Sequence, residues 1–179
     1  MKLTTLVFLF ALSCNVAMAQ YKPVDKRSSV LFTIKNFGFD VKGTFGGVQG
    51  AINFDAQNTA GSTIDVTIDA ATINTDNSLR DSHLKGQEYF DVKNYPAIHF
   101  VSSKITGKSN NYTVTGKLTI KGKTRDIFFP FSATADNDGY LFKGSFKINR
   151  KDFDIGGTST IANELEVTLN IFANKSQST

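Results

Sequence analysis

The chain is poor in the residues on which most catalytic and metal chemistry is built. Its 179 residues include one cysteine, two histidines, three prolines and no tryptophan. A single cysteine excludes an intramolecular disulfide and a Cys-rich zinc site. The histidines, His83 and His99, share no helical or strand face, and no HExxH, P-loop or dinucleotide fingerprint occurs. Basic residues outnumber acidic ones by only 20 to 16 and form no block, so the clustered footprint of a nucleic-acid binder is missing. No linker, low-complexity stretch or internal repeat divides the sequence, and its length fits one domain.

The first residues read as a leader. Met1 and Lys2 open a short positive region, Leu3 to Leu12 is mostly apolar, and Ala17-Met18-Ala19 puts small residues before a cleavage point at Gln20. That run is too short for a membrane-spanning helix of about 20 residues. Ala11-Leu12-Ser13-Cys14 is loosely similar to a lipoprotein site, but its leucine stands one position too close to Cys14, so ordinary cleavage is expected. Removing residues 1–19 takes away one lysine and the only cysteine, lowering the formal charge from +4 to +3. The expected mature chain, residues 20–179, is a single exported domain, periplasmic or secreted, with no membrane-spanning segment.

What the chain has in excess is phenylalanine, 16 against five tyrosines. Phenylalanine carries no polar handle, so these rings are pure apolar payload. From Ser28 onward apolar residues recur at every second position, the mark of strands with one buried face. Eight such strands are centred on Val30–Ile34, Val48–Phe54, Ile64–Ile68, Ile98–Phe100, Tyr112–Ile120, Ile127–Phe131, Phe142–Ile148 and Leu165–Ile171. Short polar turns join them at 57–61, 107–111, 121–123 and 136–139, as antiparallel neighbours require. Gly43-Thr44-Phe45-Gly46-Gly47 reads as a bend between strands. Between the third and fourth strands, Thr75–Lys93 breaks the alternation. Asp76 or Asn77 suits a helix N-cap, Leu79, His83 and Leu84 share a face, Gly86 is a stop, and Gln87–Asp91 suits a second helical turn.

Eight antiparallel strands with one apolar face can close into a barrel that is either filled by its side chains or holds one small ligand. The inward positions carry Phe32, Ile34, Ile52, Phe54, Ile68, Phe100, Tyr112, Val114, Leu118, Phe129, Phe131, Phe142, Phe146 and Ile148, interleaved with Gly50, Gly116 and Gly144. Rings alternating with glycines read as a wall with room left in it, but parity alone leaves wall and filling level. Polar chemistry is sparse. His99 alternates outward. His83 sits two residues from Asp81, a spacing that separates side chains around a helix, so a hydrogen bond across the barrel end is its expected role. Arg150 and Asp152 suggest a rim pair, and Arg150 and His83 are candidates for a contact to a ligand headgroup or to the rim.

Several motifs together resemble one family. Ser29-Val30-Leu31-Phe32-Thr33-Ile34, Gly43-x-Phe45 and Gly50-x-Ile52-x-Phe54-Asp55 open the match. Asp81-Ser82-His83-Leu84, Phe90-Asp91 and Tyr95-Pro96-x-Ile98-x-Phe100 form its most diagnostic part. Gly116-x-Leu118-Thr119-Ile120-x-Gly122-x-Thr124-Arg125 and Ile148-Asn149-Arg150-Lys151-Asp152-Phe153 complete it. Over residues 21–173 the chain resembles the YceI-like proteins. The resemblance implies an all-β fold, an eight-stranded antiparallel lipocalin-like barrel with a short helix between strands 3 and 4, exported to the bacterial periplasm or beyond. It implies a binding function for polyisoprenoids, isoprenoid quinones or similar long apolar lipids, with no enzymatic reaction and no cofactor other than such a bound lipid or quinone. Family members commonly place glycine after Asp-Phe, where this chain has Asp154 and reaches Gly156 only later.

Two rival functions stay open at this stage: a lipid-modifying enzyme using His83 with Asp81 or Asp91, and a filled barrel serving as an interaction module. A homodimer is compatible with all three. Phe146→Ala discriminates filling from cavity. In a filled barrel it costs about 3–5 kcal/mol. Beside a cavity, urea denaturation will show a smaller loss and ligand uptake will change.

Overall fold

The computed structural model describes residues 19–158 and 160–176. Cys14 and the leader up to residue 18 lie outside the described residues. Nine strands follow in the order β1 (Gln20–Pro23), β2 (Ser29–Asn36), β3 (Phe39–Asn53), β4 (Thr63–Asn74), β5 (Ala97–Lys108), β6 (Asn111–Ile120), β7 (Lys123–Asp136), β8 (Gly139–Asn149) and β9 (Ile161–Lys175), with helix α1 (Ser78–Lys85) between β4 and β5. From β2 to β9 each strand pairs antiparallel with the next, and β9 returns to β2 through pairs such as Val30↔Leu169 and Phe32↔Val167. Eight strands therefore close into an up-and-down barrel, as the alternation and the resemblance led us to expect. The ninth, β1, was not legible. It is a four-residue patch that fills the gap where the ends of β3 and β9 diverge, pairing Tyr21 with Ile52 and with Lys175.

Period-two patterning is cleanest in β6, where Tyr112, Val114, Gly116 and Leu118 are buried and Thr113, Thr115 and Lys117 are exposed. The expected bend at Gly43–Gly47 is instead the middle of β3, a strand of 15 residues. Its pairing with β4 shifts twice between Thr44 and Gln49, and Gly47 takes a φ of +70°. These bulges turn the strand without ending it, which is how a long strand follows a barrel wall. Gly50 has the stricter requirement. Its φ is +130°, and a Cβ there would lie 2.2 Å from the Asp65 carbonyl oxygen. The β2–β3 hairpin, overlooked in the sequence, turns at Phe37 (φ 49°) and Gly38 (φ 83°), both left-handed as a two-residue hairpin requires.

The interior has two parts. Towards β1, Phe54 makes edge-to-face contacts with Tyr112 at 5.2 Å, Tyr140 at 5.4 Å and Phe142 at 5.4 Å, while Tyr21 meets Tyr140 at 5.2 Å. Such packing is favoured by the ring quadrupoles and leaves this end filled. Burial, followed by the neighbouring Tyr140 and Asp55, pushes the Tyr21 hydroxyl above its usual range. The opposite end is covered by α1 and the segment after it. Asn77 caps the helix by accepting from the Arg80 N–H, and Gly86 ends it, as expected. Gln87–Phe90 forms hydrogen-bonded turns, not the second helical turn expected, with the Phe90 N–H reaching the Leu84 carbonyl and the Asp91 N–H the Gly86 carbonyl. Gly86 breaks the α-helical ladder, and Asp91 is left-handed at φ 47°. The aromatic floor yields a test: Phe54→Ala will lower stability by about 3–5 kcal/mol in urea denaturation, because its neighbours cannot close around the missing ring.

Candidate functional site

Between floor and cover lies an apolar cavity of about 250 Å³. Strand parity builds its wall. Of the fourteen residues expected inside, twelve line it: Phe32, Ile34, Ile52, Ile68, Phe100, Val114, Leu118, Phe129, Phe131, Phe142, Phe146 and Ile148. Phe54 and Tyr112 do not, because they belong to the packed floor. Sequence reasoning left out of this set Phe45 and Ile73, which lie on strand segments it had not recognised, and Leu84, Tyr89 and Phe90, which the cover turns inward. Phe90 stands 5.3 Å from Phe45, which in turn stands 5.6 Å from Phe32, so cover and wall are joined by rings.

The glycines do not leave room in the wall; they seat its rings. A Cβ on Gly43 would collide with the Phe32 ring at 2.3 Å, and one on Gly116 with the Phe100 ring at 2.6 Å. One on Gly144 would come within 3.3 Å of Phe129. Each of these rings lies against a glycine, in space that a larger residue would fill.

Polar groups gather at the covered end. Arg150 is not half of a surface pair. Asp152 is exposed, while Arg150 is only 3% exposed and borders the cavity. Its Nε donates to the Ala162 carbonyl at 3.0 Å, Nη1 to those of Ile155 at 2.7 Å and Gly156 at 2.6 Å, and Nη2 to that of Ile161 at 3.0 Å. The guanidinium ties Ile155 and Gly156 to the start of β9. Gly156, at φ +61° and pressed between Tyr89 and Arg150 Nη1, allows that approach. Asp154 occupies the left-handed region at φ 53°, ψ 37°, so an aspartate here makes the turn for which a glycine is the usual residue.

His83 is exposed on the outer side of α1 and makes no side-chain hydrogen bond among the described residues, so the expected bond across the barrel end does not form. Leu79 is likewise exposed, and only Leu84 of the proposed helical face turns inward. Asp81 accepts from the Thr75 N–H at 2.9 Å and from Thr75 Oγ1 at 2.5 Å. Asp91 accepts two bonds from Asn94 Nδ2. Both carboxylates are thus engaged by near neighbours in sequence, and neither is bonded to His83. His99 points outward and meets Asp65 at 2.7 Å. Arg80, absent from the sequence-based site, lines the cavity and donates through Nε and Nη2 to Thr75, at 2.7 and 2.6 Å. Among the described residues no cluster of His, Cys, Asp and Glu could hold a metal. The role found for Arg150 yields a prediction. Arg150→Met will destabilise by at least about 1–3 kcal/mol, the cost of one buried acceptor left unsatisfied. Arg150→Lys will recover little of that in a urea titration, since an ammonium cannot span the carbonyls of both loop arms.

The YceI-like domain model matches residues 21–173. A UPF0312 protein of Photorhabdus laumondii is 32% identical over 153 residues, covering 80% of each chain. A UPF0312 protein of Yersinia enterocolitica is 32% identical over 163 residues, covering 86% of this chain and 84% of the relative. The crystal structure of Burkholderia cenocepacia BcnA superposes with a TM-score of 0.80 at 29% identity, covering 85% of this chain and 99% of BcnA. A polyisoprenoid-binding domain from Saccharophagus degradans shares the fold at a TM-score of 0.70 and 12% identity, covering 89% of this chain and 100% of that domain. With its closed eight-stranded barrel, its covering helix and these relatives, the chain belongs to the YceI-like family.

Proposed function

We propose that this protein binds a single long apolar chain, of the polyisoprenoid or isoprenoid-quinone class, inside the barrel and carries or sequesters it outside the cytoplasm. The observation that carries this reading is the cavity of about 250 Å³ with a wall of aliphatic and aromatic side chains. Each buried CH₂ contributes about 0.8 kcal/mol, so a long chain binds tightly here with few polar contacts. Selectivity then follows length and shape more than headgroup. The polar end belongs at the covered mouth, where Arg80 and Asn36 border the cavity. Arg150 is committed to its loop and His83 faces away, so neither supports the headgroup role expected of them.

A binding protein fits the site better than an enzyme, because His83, Asp81 and Asp91 do not converge on the cavity. The Saccharophagus degradans domain binds polyisoprenoid by its name; at 12% identity that likeness speaks for the fold, and the proposal rests on this chain's own cavity. Export is supported by the leader pattern of residues 1–19.

Native mass spectrometry of protein isolated gently from its own envelope fraction tests the reading. An apolar adduct, or stoichiometric uptake of an added polyprenyl alcohol, is the expected result. A bare protein that takes up no polyprenyl alcohol would overturn it. Turnover of the bound lipid that disappears in His83→Ala would replace the carrier with an enzyme.

A further inference from the structure

Two neighbouring strand pairs of the barrel are joined over only part of their length, β4 with β5 over five residue pairs and β7 with β8 over six. β7 pairs with β6 over its first eight residues and beyond, from Lys123 to Phe131. β8 pairs with β9 from Gly139 to Asn149. Yet β7 and β8 pair with each other only from Phe131↔Gly144 to Asp136↔Gly139. Beyond Gly144 the ladder stops, and no residue of Lys123–Phe129 is paired with one of Phe146–Asn149. Pro130, which has no N–H to give, stands where the strands part.

Side chains seal the seam, and the Arg150–Phe153 turn packs against β7 at its covered end. Continuing the register sets Phe129 opposite Phe146, and these rings stack at 4.5 Å and 22°. Ile127 and Ile148 meet the cavity one pair further on. The cavity reaches β8 at Lys143 and Gly144, the point at which pairing ends. On the outer face of the same stretch, Phe128 is 76% exposed and Pro130 is exposed beside it. An apolar seam therefore has cavity on one side and an apolar lip on the other. No strand ladder closes this stretch.

We propose that the β7–β8 seam is a lateral portal through which the tail of a long apolar chain leaves the barrel and lies against Phe128. This rests on the reading that the barrel binds such a chain. A strand of 12 residues, like β4 or β5, covers about 30 Å of barrel axis at a tilt of about 40°. The aromatic floor blocks part of that depth, so a long prenyl chain needs a side exit that a short one does not.

Locking the seam tests the portal. Phe128→Cys with Lys147→Cys places two outward thiols opposite each other in the continued register. Residues 20–179 contain no other cysteine. The pair is joined as a disulfide or, where the spacing exceeds disulfide reach, by a short thiol-cleavable crosslinker. Binding of farnesol, a short prenyl alcohol, and solanesol, a long one, is measured before locking, after locking and after reduction. Locking will weaken solanesol binding by about tenfold or more and leave farnesol binding unchanged, with full recovery on reduction. Phe128→Ser, which touches no core residue, will weaken solanesol several-fold and spare farnesol. Unchanged solanesol binding in the locked protein would overturn the portal while leaving the carrier intact. Failure of the unlocked protein to bind either alcohol would overturn the carrier reading and the portal with it.

Discussion

Closure of the sheet through the β2–β9 ladder is the constraint on which the rest of the structure depends. Pairs from Ser29↔Asn170 to Ile34↔Leu165 join the first long strand to the last, across more than 130 residues of chain. Once that ladder forms, the sheet between them has no free long edge, and every second residue of eight strands is forced into one shared interior. A slip by a single residue would turn the phenylalanines out into water, so the apolar pattern and the closure fix each other. Such long-range pairing also makes folding slow in principle, since the largest loop must close before its contacts repay the entropy.

The interior that results is filled at one end and hollow at the other. Wall and filling, level on strand parity, are both correct at different heights. Around Phe54 the rings meet edge to face and exclude space. Above them Phe32, Phe100 and Phe129 are laid over Gly43, Gly116 and Gly144, and the barrel axis stays open. The same residue type thus closes one half and lines the other. A chain without tryptophan, with one cysteine and with little polar chemistry thus encloses an apolar cavity.

Much of this was legible in the sequence. β6 alternates so strictly that its inward residues could be read directly, and β8 and β9 nearly so. β3 was not, because glycines at 43, 46 and 47 are turn formers by composition and bulge formers in context. Phe37 at positive φ hid the β2–β3 hairpin, since a large aromatic is a rare choice there. Arg150 was read at the surface because charges usually are. Its burial depends on carbonyls from a loop up to 12 residues away, which no local pattern reveals. The turn residues Tyr89 and Phe90 could be aimed at the cavity only once α1 had been placed over the barrel end. Parity needs only neighbours in sequence, whereas these features need neighbours in space.

A hollow above an aromatic floor assigns distinct magnetic environments to two sets of methyl groups. Ile68, Leu118, Ile148 and Val167 line the cavity, while Ile105, Ala133 and Ala173 are packed in the floor. Methyl NMR during titration with a prenyl alcohol separates them. The expected result is large saturable shifts confined to the cavity methyls, with floor methyls nearly still. Shifts spread over the outer surface, or cavity methyls unmoved at saturating alcohol, would contradict a barrel whose function is to hold an apolar chain.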